Sequence, residues 1–300
     1  MPEPAGTGKE LLMAAIVVDG KALAAKVRIE VKERVEALKK RGINPCLAVI
    51  LVGEDPGSLS YIRGKQKALA DAGIEGWDIR LPEAVSEPVL LGLIKSLNKD
   101  PKVHGILIQL PLPAHIREDL VISSLDPSKD IDCFHPTSFG KLLQGQQGYL
   151  PCTPHGVVVM LRELKVPIAG AHAVVVGRSN HVGKALAMLL SRRDLNATVT
   201  LCHKGTKDLA SHTIQADILI SAAGKPGLIT GAMIKSGAAV IDVGVNVNQD
   251  TGASRLVGDV NYEEALEKAG WITPVPGGVG PMTIAMLTKN VVEAAENHGV

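Results

Sequence analysis

Aromatic side chains are nearly missing from this chain. Its 300 residues hold two Trp, three Tyr and two Phe, so a core of any size must be built from Val, Ile, Leu and Ala. An apolar fraction of 46% supplies enough of them, and the length predicts about two domains. A charge excess is also lacking. Lys and Arg number 32 against 31 Asp and Glu, which argues against a broad nucleic-acid or anionic-membrane surface and leaves room for a local basic pocket. No uncharged apolar run is long enough to span a bilayer. Residues 1–15 lack the basic start and long apolar run of a secretory signal, so the cytoplasm is the expected location. Cys46, Cys133, Cys152 and Cys202 lie far apart with no Cys-x-x-Cys pair, which predicts reduced thiols and neither a disulfide frame nor a zinc site. The nine histidines show no ligand spacing, and no metal is expected.

What is present begins with Gly53-Glu-Asp-Pro-Gly-Ser-Leu-Ser-Tyr-Ile-Arg-Gly-Lys65. An apolar run before it, residues 46–52, reads as a buried strand, and a helix should follow and end near Gly73. Tyr61 and Lys65 stand four apart, so on a helix the phenol and the amine share one face. Ser58 lies near the helix start. A strand, a Gly/Pro turn and such a helix can floor a small-molecule site; the alternative is a capped surface helix with a solvated lysine.

The elements around this stretch follow from periodicity and punctuation. Short strands are expected at 16–18 and 77–81, and helices at 21–41, 86–98 and 115–125. Residues 103–110 form an apolar strand ended by Pro111 and Pro113. Its one polar residue near the end, Gln109, sits where open α/β sheets bind ligands, unless it only satisfies a local backbone group. Asp130 and Asp132 fall in an irregular stretch ended by Pro136, either a pocket loop or simple turn chemistry. A helix is expected at 153–164, with Thr153 as N-cap and Pro154 at its first position. Strands at 171–176, 198–202, 217–221 and 239–243 alternate with a helix at 184–191 and predict a parallel sheet in a second domain beginning near Cys152. A Gly/Pro loop, residues 274–281, opens a final helix at 282–297.

The turn after the strand at 171–176 reads Gly177-Arg-Ser-Asn-His-Val-Gly183. It resembles a dinucleotide turn, but Ser179 occupies the second glycine position and Val182 the third, with Gly183 following. A glycine-bounded turn still aims backbone N–H groups and a helix N-terminus at a phosphate. The next strand ends in His203-Lys204 with no acid to bind ribose hydroxyls. With Arg178 in the turn, basic groups without an acid favour a 2′-phosphate, hence NADP. The alternative makes His203 and Lys204 ordinary loop residues.

Six segments in order then resemble the bifunctional methylenetetrahydrofolate dehydrogenase/methenyltetrahydrofolate cyclohydrolase family over almost the whole chain. They are the Gly53 to Lys65 stretch, Val103-His-Gly-Ile-Leu-Ile-Gln109-Leu-Pro-Leu-Pro113, Lys129-Asp-Ile-Asp132, Pro151-Cys-Thr-Pro154, Gly177-Arg-Ser-Asn180 with Val182-Gly-Lys184, and Pro274-Val-Pro-Gly-Gly-Val-Gly-Pro-Met-Thr283. The resemblance implies two α/β domains flanking a cleft. Residues 1–151 would bind folate, with 282–300 packing back on them, and 152–281 would form a Rossmann-like NADP domain that also makes a homodimer. It implies catalytic roles for Lys65, Gln109, Asp132 and Tyr61, and substrate contacts for Ser58, Tyr61, Asp132, Pro276 and Gly280. NADP would rest on Gly177, Arg178, Ser179, Val182, Gly183, His203 and Lys204. Four positions depart from the family pattern: Cys133 replaces a usual glycine, Lys204 a common serine, His181 an aliphatic residue and Ala185 a proline. The extension before Ala15 has no reading.

These residue types suit that chemistry. Hydride loss from a methylene carbon between two nitrogens needs no general base, only a carbon held close to the nicotinamide. Stacking by Tyr61 and anchoring of the pterin edge by Asp132 would hold it. Water addition to the methenyl carbon does release a proton, and an amine whose ammonium form is disfavoured can take it. Lys65, oriented by Gln109, fits that second step. Three rivals remain. Tyr61 and Lys65 also match the Tyr-x-x-x-Lys of short-chain dehydrogenases, but there the pair follows the nucleotide turn and here it precedes it. A shikimate- or amino-acid-type dehydrogenase shares the domain order and would turn over a hydroxy or amino acid. An NADP-sensing or folate-holding module would bind without turnover.

Overall fold

The structure is a computed structural model that describes residues 14–54, 56–248 and 255–298, and of residues 56–61, 248 and 298 the backbone alone. Along the chain run β1 (Ile16–Val17), α1 (Gly20–Lys40), β2 (Cys46–Val52), α2 (Pro56–Ala72), β3 (Glu75–Leu81), α3 (Glu87–Lys99), β4 (Gly105–Ile108), α4 (Glu118–Ser123), α5 (Pro136–Gln144) and α6 (Cys152–Glu163). Then come β5 (His172–Val176), α7 (Ala185–Ser191), β6 (Thr198–Cys202), α8 (Leu209–Thr213), β7 (Ile218–Ser221), β8 (Ala239–Asp242), β9 (Asn246–Asn248), β10 (Arg255–Val257), α9 (Tyr262–Leu266), β11 (Trp271–Ile272) and α10 (Val279–His298).

Two parallel sheets organise these elements. The small sheet has the order β3-β2-β4 and the large one β1-β11-β8-β7-β5-β6. Every residue of β2 is buried, because helices cover both faces of a parallel sheet and leave no polar side. Alternation still sorts its side chains: Leu47, Val49 and Leu51 join one core, and Ala48, Ile50 and Val52 the other. The first of these cores continues through Ala173 and Val175 of β5 into the large sheet, so a single apolar layer links the two sheets. The strand β1 pairs with β11 at the rim of the large sheet, although α1, which follows it, packs on α10. The helix α10 also packs on α6, α2 and β2. Asn290 keys it in place: its Nδ2 donates to the carbonyls of Ile131 at 2.7 Å and Leu150 at 2.9 Å.

Several local expectations need correction. The helix α6 starts at Cys152 behind Pro151, not behind a Thr153 cap, because the Thr153 hydroxyl is engaged with that of Thr283 at 2.9 Å. The strand at 103–110 shortens to β4, leaving Gln109 just beyond its end. Pro136 starts a helix, α5, where it was read as a stop. Proline fits a first helical position, and His135 Nδ1 caps the turn by accepting from Thr137 N at 3.0 Å. The final helix begins three residues early, at Val279.

On α6, His155 is enclosed against α10, and its Nδ1 has no hydrogen-bond partner among the described residues. Burial, then the nearby Lys289 and Arg162, push its imidazole down to about 4. A depressed value stabilises the fold above the unfolded imidazole range near 6.5, and that share is lost as pH falls through 4. The His155→Leu variant should therefore show a flatter stability curve between pH 6.5 and 4, by about 2 kcal/mol. Urea unfolding across that window measures it, and parallel curves would contradict it.

Candidate functional site

Neighbouring strands of the small sheet deliver the first two groups. Lys65 rises from α2, the helix that follows β2, and Gln109 stands just past β4, which pairs with β2. Lys65 Nζ donates to Gln109 Oε1 at 3.1 Å. Gln109 Nε2 donates to the carbonyl of Leu110 at 2.9 Å, which leaves its oxygen turned to the amine. Both side chains are half-buried. The side chains of Ser58 and Tyr61 lie outside the described residues, though the backbone of both is in α2, with Tyr61 one turn before Lys65.

The two acids at 130 and 132 divide the readings offered for them. Asp130 pairs with Ile106 in a parallel bridge beside β4. Its carboxylate accepts from the N–H groups of Phe134 at 3.0 Å and His135 at 2.9 Å. Burial raises it, and its work is turn chemistry. Asp132 instead faces a cavity of about 220 Å³ that it shares with Lys65 and Gln109, and with His181 and Val182 of the Gly177 turn. Between the two loops, Cys133 holds φ at +60°, in the left-handed region. Only glycine enters that region freely, which accounts for the glycine expected here.

The Gly177 turn solves its missing motif with one extra residue. A Cβ on Gly177 would overlap the carbonyl of Ala222, and one on Gly183 would overlap the carbonyl of Gly177. The close helix–strand approach therefore belongs to Gly183, one position later than the usual spacing, and not to Val182. A π-helical turn over Asn180–Lys184 absorbs the extra residue, as single π turns do at functional sites. Ser179 Oγ accepts from Gly183 N at 3.3 Å. Arg178 and Lys204 are exposed, and among the described residues neither has an ion-pair partner. His203 Nδ1 accepts from Gly205 N at 3.1 Å, and its own N–H donates to Thr206 Oγ1 at 2.9 Å.

Other residues at the cavity were not foreseen. Cys152, Thr153 and Thr283 line it, as does Phe134. Thr283, Ile284 and Leu287 reach it from α10, and the placing of Leu287 four residues after Thr283 and three after Ile284, on one helix face, is the signal that could have found them. Phe134 and His181 stack across the cleft with ring centroids 3.7 Å apart and 36° between planes. His181 Nε2 also lies 3.8 Å from Glu118 Oε1. Pro276 and Gly280 are not among the cavity residues; both are exposed, and a Cβ on Gly280 would meet open space.

Comparison with known proteins covers both lobes. The model of the tetrahydrofolate dehydrogenase/cyclohydrolase catalytic domain matches residues 18–132, and that of its NAD(P)-binding domain matches 151–299. The bifunctional protein FolD of Moorella thermoacetica is 59% identical over 283 residues, 94% of this chain and 99% of the relative. The crystal structure of the bifunctional methylenetetrahydrofolate dehydrogenase/cyclohydrolase FolD from Campylobacter jejuni superposes with a TM-score of 0.92 at 48% identity, over 95% of this chain and 99% of that one. The Trypanosoma brucei dehydrogenase-cyclohydrolase, complexed with NADP and an inhibitor, gives 0.90 at 39% identity, over 95% and 98%.

Cys133 offers a direct test of the loop beside Asp132. Replacement by glycine removes the left-handed strain along with a small buried side chain, so stability should stay within about 1 kcal/mol. Replacement by valine puts a β-branched residue at positive φ and should cost about 2 kcal/mol or more. Chemical denaturation of the two variants checks the order, and equal losses would contradict the backbone explanation.

Proposed function

The chain belongs to the tetrahydrofolate dehydrogenase/cyclohydrolase family, and from that premise we propose that one cavity serves both of its reactions. The enzyme oxidises 5,10-methylenetetrahydrofolate to the 5,10-methenyl form with NADP and hydrolyses the methenyl form to 10-formyltetrahydrofolate. The observation that carries the single-cavity reading is the shared lining: Lys65, Gln109 and Asp132 from one lobe meet His181 and Val182 from the other. On this reading the lobe around the small sheet, residues 18–151 with 282–298, binds folate, and residues 152–281, joined by β1 at the rim of the large sheet, bind the cofactor.

The residues present fit NADP. Glycine at 177 and 183 lets strand, turn and helix start pack where any Cβ would overlap backbone, the close approach that a dinucleotide turn requires. Arg178 and Lys204, exposed at the turn and without an ion-pair partner among the described residues, suit a 2′-phosphate. Gly177, Arg178, Ser179, Gly183 and Lys204 would hold NADP there, and when bound it would supply the hydride acceptor. The chain's own part in that step is positioning. Asp132 anchors the pterin edge, and stacking on it is assigned to Tyr61, whose backbone lies one turn before Lys65 in α2. No proton need move, so a fixed distance is what the pocket contributes.

Hydrolysis asks more of Lys65. The oxygen of water bonds to the bridging carbon, and the Lys65 amine takes one proton. The bond from that carbon to N5 then breaks as the proton left on the added oxygen passes to N5, and the C=O so formed is that of the 10-formyl product. Gln109 Oε1 accepts from the amine and so turns its lone pair towards the cavity. The Lys65→Met variant should lose methenyl hydrolysis by about 100-fold or more while keeping measurable NADP reduction. Parallel absorbance assays on methylene- and methenyltetrahydrofolate, with NADP and NAD compared, read both steps. Hydrolysis at a near-normal rate would remove Lys65 from the mechanism, and turnover of a hydroxy acid without folate would favour the shikimate-type rival.

The protein acts as a homodimer in the cytoplasm on this reading. Among the described residues no helix is long and apolar enough to cross a membrane, and all four cysteines are free and buried. The antiparallel pair β9–β10 of the large-sheet lobe leaves Val245, Val247 and Leu256 exposed, an apolar face suited to a second copy. Light scattering should give twice the chain mass, and the double variant Val247→Asp, Leu256→Asp should shift it to the monomer. A monomeric native chain would overturn the dimer.

A further inference from the structure

Beneath the nucleotide turn lies a carboxylate that no part of the reaction scheme uses. Asp259 is fully buried, with 0% of its surface exposed. Its Oδ2 accepts from the Ser221 hydroxyl at 3.1 Å and from the backbone N–H groups of Ala223 at 2.7 Å and Gly224 at 3.1 Å. Its Oδ1 accepts from Lys225 N and from Asn246 Nδ2, both at 2.9 Å. Five donors thus converge on one acceptor-only group, and none is a cationic side chain. Three of them are consecutive backbone N–H groups, so the loop after β7 wraps the carboxylate as a nest wraps an anion. Asn246 ties in the segment after β8.

Asp259 is itself held from behind. Its own N–H and that of Val260 donate to the carboxylate of Asp242, at 3.0 and 2.9 Å. The fit leaves no slack: a Cβ on Gly244 would overlap the Asp259 carboxyl group, and one on Gly258 the Asp242 carboxyl group. In front, the loop meets the turn. Ala222 N donates to the carbonyl of Val176 at 2.7 Å, and the Ala222 carbonyl fills the space where Gly177 lacks a Cβ. Asp259, the 222–225 loop and the Gly177 turn are therefore in serial contact at the carboxyl ends of the strands, where open parallel sheets bind their ligands.

Resting on the reading of the Gly177 turn as the NADP site, we propose that Asp259 is a positioning residue for NADP, fixing the loops after β7 and β8 beside that turn and leaving hydrolysis untouched. An amide in its place presents N–H to N–H and repels part of the nest. The groups assigned to hydrolysis, Lys65, Gln109 and Asp132, come from the other lobe and keep their frame.

The test is Asp259→Asn beside the double variant Ser221→Ala, Asn246→Ala, which keeps the carboxylate and removes two of its five donors. Calorimetry reads the NADP dissociation constant, and methenyl hydrolysis without NADP reads the other lobe. NADP affinity should fall about ten-fold or more in Asp259→Asn, with hydrolysis within about two-fold of native. Unchanged NADP affinity overturns the proposal. If Asp259→Asn loses both readouts together through misfolding, the double variant decides: weakened NADP binding with native hydrolysis supports the proposal, and native binding overturns it. A native chain that binds NADP without oxidising folate would count against the function, while the binding readout would still judge Asp259.

Discussion

The 3.1 Å contact between the Lys65 amine and the Gln109 amide oxygen depends on strand register. The two side chains come from segments that follow β2 and β4, and those strands pair with Ile50 opposite Ile108. A slip by one residue would turn every side chain of one strand to the other face and carry Gln109 away from the amine. Register is secured because both faces of β2 are buried, so a slipped strand gains nothing on either side. The chemistry of the cavity is thus set by a core that contributes no reactive group.

On the proposed assignment, the two reactions place different demands on that cavity. Hydride loss needs two lobes at a fixed separation; hydrolysis needs an amine with a defined orientation. The continuous apolar layer from β2 through β5 serves the first demand. The helix α10 reinforces it by touching α1, α2 and α6 while lending Thr283 to the cavity wall. The second demand is met inside one lobe, through Gln109. On that assignment, separate supports for separate steps would let one pocket run both without a compromise in either.

Much of this was legible in the residue order. The strand β2 occupies the run read from Cys46 to Val52, and α1, β6 and the parallel large sheet follow their periodicity. Lys65 is expected on the helix after β2, Gln109 at the end of an apolar strand and Asp132 in an irregular loop, and all three line one cavity. What escaped has physical causes. The helix α5 was hidden by Pro136, whose fixed φ serves a start as well as a stop. The π turn at Asn180–Lys184 was hidden because one inserted residue moves the third glycine from 182 to 183. The share of α10 in the cavity and the Asp259 nest are tertiary: their partners lie 13 or more residues away, beyond any local pattern.

The ring pair of Phe134 and His181 spans the cleft, one ring from each lobe, at 3.7 Å. A hinge motion that widened the cleft by the thickness of a water molecule would have to unstack it. Phenylalanine occurs only twice in the chain, so the magnetic environment of this one ring is a built-in ruler for the breathing of the enzyme, legible without any attached label.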